Sequence, residues 1–383
     1  MTRLLSKDFP EDTIFIIDGL MAAFTVALLC TGRSIRCIYE CKEVEWRNVD
    51  FVALYDLLLA DVDIREKRIE YVPHPYFLQG SSVLATIRHQ RTFIRRMRDR
   101  VRLDRNETYC GCVTSSILLS NKDIVSHILI DEGMDSLMAR HRLYSRGRAT
   151  WKDRVRERLA GWLVPFRFHR DIPQITMARD EHRAIVRRVD YRDFRSHRFN
   201  CVVAPLFEQP RYKHKSVLAL VKGPPHMSAT PPSGRQDAYA RYVEFNLKAI
   251  QRFVSLYPLY TDACFYLKTH PSLGVSSPLI DALLSALAGC SIAAVNICEA
   301  MVFEELPSIP AEAYLATGKF SAVLSLDVSS TLWHVDHDRS LECYMPLDDI
   351  INAAHVDRSS KQLPLLTAQR ELNRINGNNT MFY

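Results

Sequence analysis

The chain has 383 residues, 47% of them apolar and 25% charged, with 13 glycines and 18 prolines. That length suits two domains of ordinary size, and the composition excludes wholesale disorder and fibrous repeats. Fifty basic against 44 acidic side chains leave +6, unevenly spread. Residues 85–105 carry eight arginines against two aspartates, and residues 136–170 carry ten Lys/Arg against Asp153 and Glu157. These stretches hold +6 and +8, which puts the rest of the chain at −8. A mildly acidic body with two basic stretches suits a localised anionic partner; two solvated basic helix faces would look the same.

The N-terminus, with Asp8, Glu11 and Asp12, does not resemble the basic start of a signal peptide. The apolar run Ile14 to Cys30 is 17 residues long, is broken by Asp18 and Gly19, and falls short of a bilayer span. It reads as a strand, Ile14–Ile17, feeding a buried helix. Ten cysteines form no framework. Cys110 and Cys112 make a CxC, and Cys37 and Cys41 are four apart, without a second pair for zinc. Cys30, Cys264 and Cys290 sit in apolar runs, where cysteine acts as a small hydrophobe, so a reducing cytoplasm is expected.

Ser34–Tyr39, Tyr109–Thr114 and Ile128–Ile130 are further strands of the first half, alternating with helical patterns over Gly19–Leu29 and Val83–Arg102. An irregular region is expected from about Asp171 to Lys215. The second half restarts with a strand, Ser216–Val221, ending in Gly223-Pro224-Pro225. A helix over Gln236–Leu256 follows, its apolar positions Tyr239, Val243, Leu247, Ile250 and Val254 spaced three to four apart. Ala263–Leu267, Ser291–Val295 and Ala322–Leu326 are strands, and Pro278–Leu287 is a helix. The alternation implies an α/β fold with parallel strands and crossover helices in each half. We expect a first Rossmann-like domain over residues 1–205 and a second over 206–383.

Ligands of open α/β sheets bind beyond the carboxyl ends of strands, so the residues there are the ones to examine. Ile128–Ile130 runs into Asp131-Glu132-Gly133, a carboxylate at a Gly turn, placed to act as a general base. Ala263–Leu267 runs into Lys268-Thr269-His270-Pro271, and the proline biases His270 toward extended backbone. Ala322–Leu326 leads to Ser329-Ser330, two hydroxyls opening a helix, suited to a phosphate. Each alone also reads as an ordinary feature: an acidic turn, a structural histidine, a helix N-cap. Their joint occurrence at three strand ends is the signal.

In this order, Asp-Glu-Gly, His-Pro and Ser-Ser resemble the three short motifs shared by bacterial GT-B sialyltransferases. The interval of 139 residues from Asp131 to His270 is similar to that of the capsular polysialyltransferase branch. Ile309-Pro310-Ala311-Glu312 resembles the family's Pro-x-Glu element, with Glu312 lying 17 residues before Ser329. The resemblance covers residues 215–335 best. It implies a GT-B fold, two Rossmann-like domains facing a central cleft, and CMP-sialic acid as donor, with inversion and neither metal nor cofactor. By the same resemblance Asp131 is the base that deprotonates the acceptor, and His270 is the acid or hydrogen-bond donor toward the departing CMP. Ser329 and Ser330 hold the phosphate, Glu312 the ribose hydroxyls, and Lys268, Pro271 and Gly223 border the nucleotide. Between Asp131 and Glu132 the sequence alone does not choose; the family pattern favours the first.

Capsular polysialic acid or lipooligosaccharide is the acceptor this implies, an anionic or galactosyl glycan. Another CMP- or CDP-activated donor, a keto-sugar or glycerol phosphate, is the alternative. Asp61-Val62-Asp63 and Asp336-His337-Asp338 have the DxD form of metal-dependent transferases, but neither closes a strand, and no metal is expected. Arg88, Arg91, Arg95, Arg98 and Arg102 recur at three and four, lining one helix face, where guanidinium groups suit an acceptor's carboxylates. The second basic stretch interleaves Trp151, Val155, Leu159, Trp162, Leu163, Phe166 and Phe168. Such a segment suits either the protein's own core or the surface of the inner membrane, so a cytoplasmic, peripheral protein is expected. No nucleic-acid module is recognisable.

Overall fold

Short, largely apolar runs form most of the central strands, because a parallel sheet covered by helices buries both of its faces. The structure is a computed structural model. It describes residues 12–42, 51–73, 83–130, 173–177, 185–203, 215–223, 236–269, 278–297, 309–327, 329–335, 337–350 and 380–383. The chain divides into two units, Met1–Asp190 and Tyr191–Tyr383. Each is a doubly wound α/β unit.

In the first unit, β1 (Ile14–Ile17), α1 (Leu20–Cys30), β2 (Ser34–Lys42), α2 (Phe51–Leu58) and β3 (Asp63–Val72) come first. Then follow α3 (Val83–Arg100), β4 (Thr108–Cys112), α4 (Ser116–Asn121), β5 (Ser126–Ile130), β6 (Gln174–Thr176) and β7 (Ile185–Arg188). The sheet order is β3-β2-β1-β4-β5-β6-β7, with every pair parallel. All four residues of β1 are buried. Helix α1 is apolar on nearly every side, and Ala22, Ala23, Phe24, Val26, Ala27, Leu29 and Cys30 are all buried. That accounts for an apolar run shaped like a membrane segment but too short to be one. Among the described residues no helix is long and apolar enough to cross a membrane.

Strand β3, Asp-Ile-Arg-Glu-Lys-Arg-Ile-Glu-Tyr-Val, was not expected. It is the edge strand, exposed over most of its length, and its charges guard an edge that could otherwise pair with another chain. The region after Asp171, expected to be irregular, contributes β6 and β7.

The second unit opens with a 3-10 turn (Tyr191–Ser196) and α5 (Arg198–Val203). It continues with β8 (Ser216–Leu220), α6 (Gln236–Leu256), β9 (Cys264–Lys268), α7 (Pro278–Gly289) and β10 (Ala294–Asn296). It ends with α8 (Ala311–Leu315), β11 (Ala322–Ser325), α9 (Ser330–Val335), β12 (Glu342–Met345) and β13 (Thr380–Phe382). The sheet order is β10-β9-β8-β11-β12-β13, again parallel throughout. Residues 191–203, assigned from sequence to the first domain, pack here on second-unit elements. Tyr191 Oη donates to Asp338 at 2.6 Å, and the Phe199 ring lies 6.5 Å from that of Tyr314.

Helix α6 covers the second sheet with Tyr242, Asn246, Ala249, Ile250 and Phe253, all buried. Of the apolar positions picked from periodicity, Ile250 is buried, while Val243, Leu247 and Val254 flank the seam half-buried. The seam runs through a polar residue, Asn246, which apolar spacing could not reveal. At its far end Phe253 packs edge-on to Tyr344 at 4.8 Å, and Glu342 accepts hydrogen bonds from both Tyr260 and Tyr344.

Candidate functional site

Both sheets reverse strand order once, β3-β2-β1 against β4 onward and β10-β9-β8 against β11 onward. At such switch points, beyond the carboxyl ends of the strands, doubly wound sheets hold their ligands. In the second unit Leu220 of β8 pairs with Lys268 of β9 on one side and with Ser325 of β11 on the other. Gly223, Lys268 and Ser329, picked out separately in the sequence, therefore sit at the ends of three neighbouring strands.

Lys268 is buried, and its ammonium donates to the Thr269 carbonyl at 3.3 Å. Ser329 Oγ accepts from Thr331 N at 3.1 Å and so caps α9, which Ser330 opens. Glu312, on α8, is 1% exposed and takes His334 Nδ1 of α9 onto Oε1 at 2.8 Å. Among the described residues Glu312 Oε2 and His334 Nε2 have no hydrogen-bond partner. Burial pushes the Glu312 carboxyl up, but the His334 bond and the charges of His334 and Lys268 outweigh it and hold it below its usual value. Asp131, His270 and Pro271 lie outside the described residues, as does the Trp-bearing basic stretch.

Sequence reasoning missed three residues of this edge. Lys222, directly before Gly223, is 1% exposed and reaches Asp327 Oδ1 at 3.4 Å. Its backbone is gripped from α6: Asn246 Oδ1 accepts from Lys222 N at 2.9 Å, and Asn246 Nδ2 donates to Lys222 O at 2.8 Å. Lys222 and Asp327 are the residues directly after the expected strands Ser216–Val221 and Ala322–Leu326, one position before Gly223 and two before Ser329. His334, the third, carries no local signal, because its partner is 22 residues away. Two ammonium groups and a capping hydroxyl at one strand edge are an anion-binding chemistry.

The equivalent edge of the first unit is occupied by the protein's own carboxylates. Glu40 of β2 is fully buried and accepts from Ser115 Oγ at 2.7 Å, Ser116 N at 2.8 Å and Ile117 N at 3.1 Å. The first turn of α4 is thus filled by a side chain. Beside it Asp18, at the end of β1, accepts from Thr114 Oγ1 at 2.6 Å and faces Lys42 Nζ at 3.6 Å. Burial first, and then the Asp18 charge, push the Glu40 carboxyl above its usual value.

Helix α3 carries the arginine row. Phe93 and Met97, with Val101 just past the helix end, are buried in the core, while Arg88, Arg91 and Arg95 are exposed, as is Arg102 beyond the helix. Arg98 is committed to the fold, with Nη2 on Asp123 at 3.0 Å and Nε on the Ser120 carbonyl. A shallow depression of about 340 Å³ is lined by Arg91, Ile94, Arg95, Arg98, Asp99 and Asp123. Of the DxD candidates, Asp63 opens β3 at the sheet's opposite edge. Asp338 is saturated by Tyr191, Ser340 N and Ser340 Oγ. The described cysteines are free thiols; burial holds Cys30, Cys37 and Cys264 at about 12, protonated and unreactive.

Comparison of the chain with models of protein families and with curated proteins finds no match.

Proposed function

We propose that the chain is an inverting, metal-independent sialyltransferase of GT-B architecture that moves sialic acid from CMP-sialic acid to a hydroxyl of a bacterial surface glycan. One observation supports it above the others. Gly223, Lys268 and Ser329, far apart in sequence and each picked out at the end of an expected strand, close or follow the adjacent parallel strands β8, β9 and β11 at a switch point. In this reading the CMP phosphate lies against Lys268 and the Ser329-Ser330 helix start, and Glu312 holds the ribose hydroxyls. The acceptor oxygen attacks the anomeric carbon as Asp131 takes its proton. The bond from that carbon to the phosphate oxygen breaks, its electron pair leaves with CMP, and His270 donates to the departing phosphate. Loss of CMP from a tertiary anomeric centre needs little push and much anion stabilisation, which fixed donors supply. Arg88, Arg91 and Arg95 would face an anionic acceptor, and the basic, Trp-bearing stretch the cytoplasmic face of the inner membrane.

The test is a donor panel with EDTA present: CMP-sialic acid, a second CMP-keto-sugar and CDP-glycerol, each with oligosialic acid and with a galactosyl acceptor. CMP release specific to CMP-sialic acid, with a phosphorus-free product, is expected. A phosphorus-containing product would replace the reading with phosphodiester transfer. No nucleotide release from any donor would remove it.

A further inference from the structure

Strands β8 and β9 pair through Leu220 and Lys268, and the Val221 N–H extends the ladder to the Lys268 carbonyl at 2.9 Å. On the other side Leu326 N reaches the Leu220 carbonyl at 2.9 Å. Lys222 is the first residue clear of both ladders, and there a chain would ordinarily loosen. Here Asn246, itself fully buried, binds both its N–H and its C=O and also donates to the Tyr242 carbonyl at 2.6 Å. A buried amide spent on one backbone position fixes where the next side chain begins. That side chain is a lysine whose ammonium lies 5.9 Å from the Phe245 ring centre and under the carboxylate of Asp327.

Burying an ammonium is costly unless its partner is close and well aligned. Lys222 Nζ pairs with Asp327 Oδ1 at 3.4 Å. Asp327 is the more exposed partner, its side chain 28% accessible against 2% for Lys222. Asp327 therefore marks the outer end of the pair, where an incoming anion would compete for the ammonium. Ser325 Oγ donates to the Asp327 carbonyl at 2.7 Å and steadies the loop between β11 and α9 that carries this carboxylate.

We propose that Lys222 is a phosphate-binding residue of the second unit and that Asp327 is the resident anion it exchanges for the ligand's phosphate. The inference rests on the nucleotide reading of this edge and adds a group that none of the motifs contains. Arrival of a phosphate transfers the ammonium's hydrogen bond from Asp327 to the ligand. Departure returns it, so Asp327 weakens binding and assists release. No covalent bond changes.

Calorimetric titration of the full chain with CMP, cytidine and inorganic pyrophosphate tests it on Lys222→Gln, Lys222→Arg and Asp327→Asn. Lys222→Gln should weaken CMP about tenfold to a hundredfold, the worth of one charged hydrogen bond, and leave cytidine unchanged. Lys222→Arg should stay within a few-fold of wild type. Asp327→Asn should bind CMP several-fold more tightly, the opposite sign to that of a pair that merely braces the fold. If Lys222→Gln melts early, the other two variants carry the test. An unchanged CMP-to-cytidine ratio in Lys222→Gln, or weaker CMP binding by Asp327→Asn, overturns the proposal. Wild type that ignores CMP yet binds pyrophosphate through Lys222 removes the sialyltransferase reading and keeps the anion site. Wild type that binds neither removes both.

Discussion

Asp131→Asn and His270→Ala are each expected to lower transfer by about 10²–10⁴-fold, the usual contribution of a placed acid or base. Asp131→Asn keeps the shape of the side chain and removes its capacity to take a proton. The loss should therefore fall on kcat, with the KM for CMP-sialic acid and the thermal midpoint unchanged. His270→Ala removes the donor to the leaving phosphate, and it should also depress donor hydrolysis in the absence of acceptor. Asp131→Asn should depress that hydrolysis less, because water attacking a tertiary anomeric centre needs little base assistance. Kinetics with and without acceptor on both variants separate the two roles. Either variant within threefold of wild type in both assays would remove that residue from the chemistry.

The second large effect is on stability. Glu40→Ala strands Ser115 Oγ and the N–H groups of Ser116 and Ile117 in the interior, since both helix residues are 0% exposed. Unsatisfied buried donors cost about 1–3 kcal/mol each, offset in part by relief of a buried carboxyl, for a net loss of about 3 kcal/mol. For a unit of this size that lowers Tm by roughly 6–12 °C. The deficit should depend on pH. Because the folded Glu40 carboxyl is raised above its ordinary 4.5, the native state holds the proton more tightly than the unfolded chain does. The stability Glu40 confers is thus complete below about 4.5 and declines as pH rises through the folded value. Melting curves of both proteins at pH 5 and pH 7.5 should show the larger gap at pH 5. A gap that widens toward neutrality would mean that Glu40 is stabilised as the anion.

That Glu40 matters at all was not legible in the sequence. It lies on a strand, and its partners are 75 to 77 residues away. Only the β1–β4 and β1–β2 pairings bring them together. The same holds for Asp18 with Thr114, while for Glu312 the sequence offered the residue but not its partner His334, 22 residues away on α9. What the sequence did carry were the central strands β1, β4, β5, β8, β9 and β11, because a parallel sheet demands apolar runs; the buried β12 (Glu342–Met345) was missed. β3 was missed because its exposed middle, Arg65-Glu66-Lys67-Arg68, is charged at every position and carries no apolar run. The α6 seam was misplaced because its centre is Asn246, an amide spent on the Lys222 backbone. Of the arginine row, spacing found the helix face, but it could not separate the exposed Arg88, Arg91 and Arg95 from Arg98, which bonds to Asp123 and the Ser120 carbonyl.

The most direct measurement is hydrogen–deuterium exchange of the whole chain with and without CMP, at a CMP concentration that calorimetry shows to be saturating. Slower exchange is expected in residues 216–223, 264–269 and 329–335, the strand ends and helix start of the second unit, with the strands of the first unit unchanged. Absence of CMP binding, or protection confined to the first unit, would contradict a nucleotide site at the second switch point.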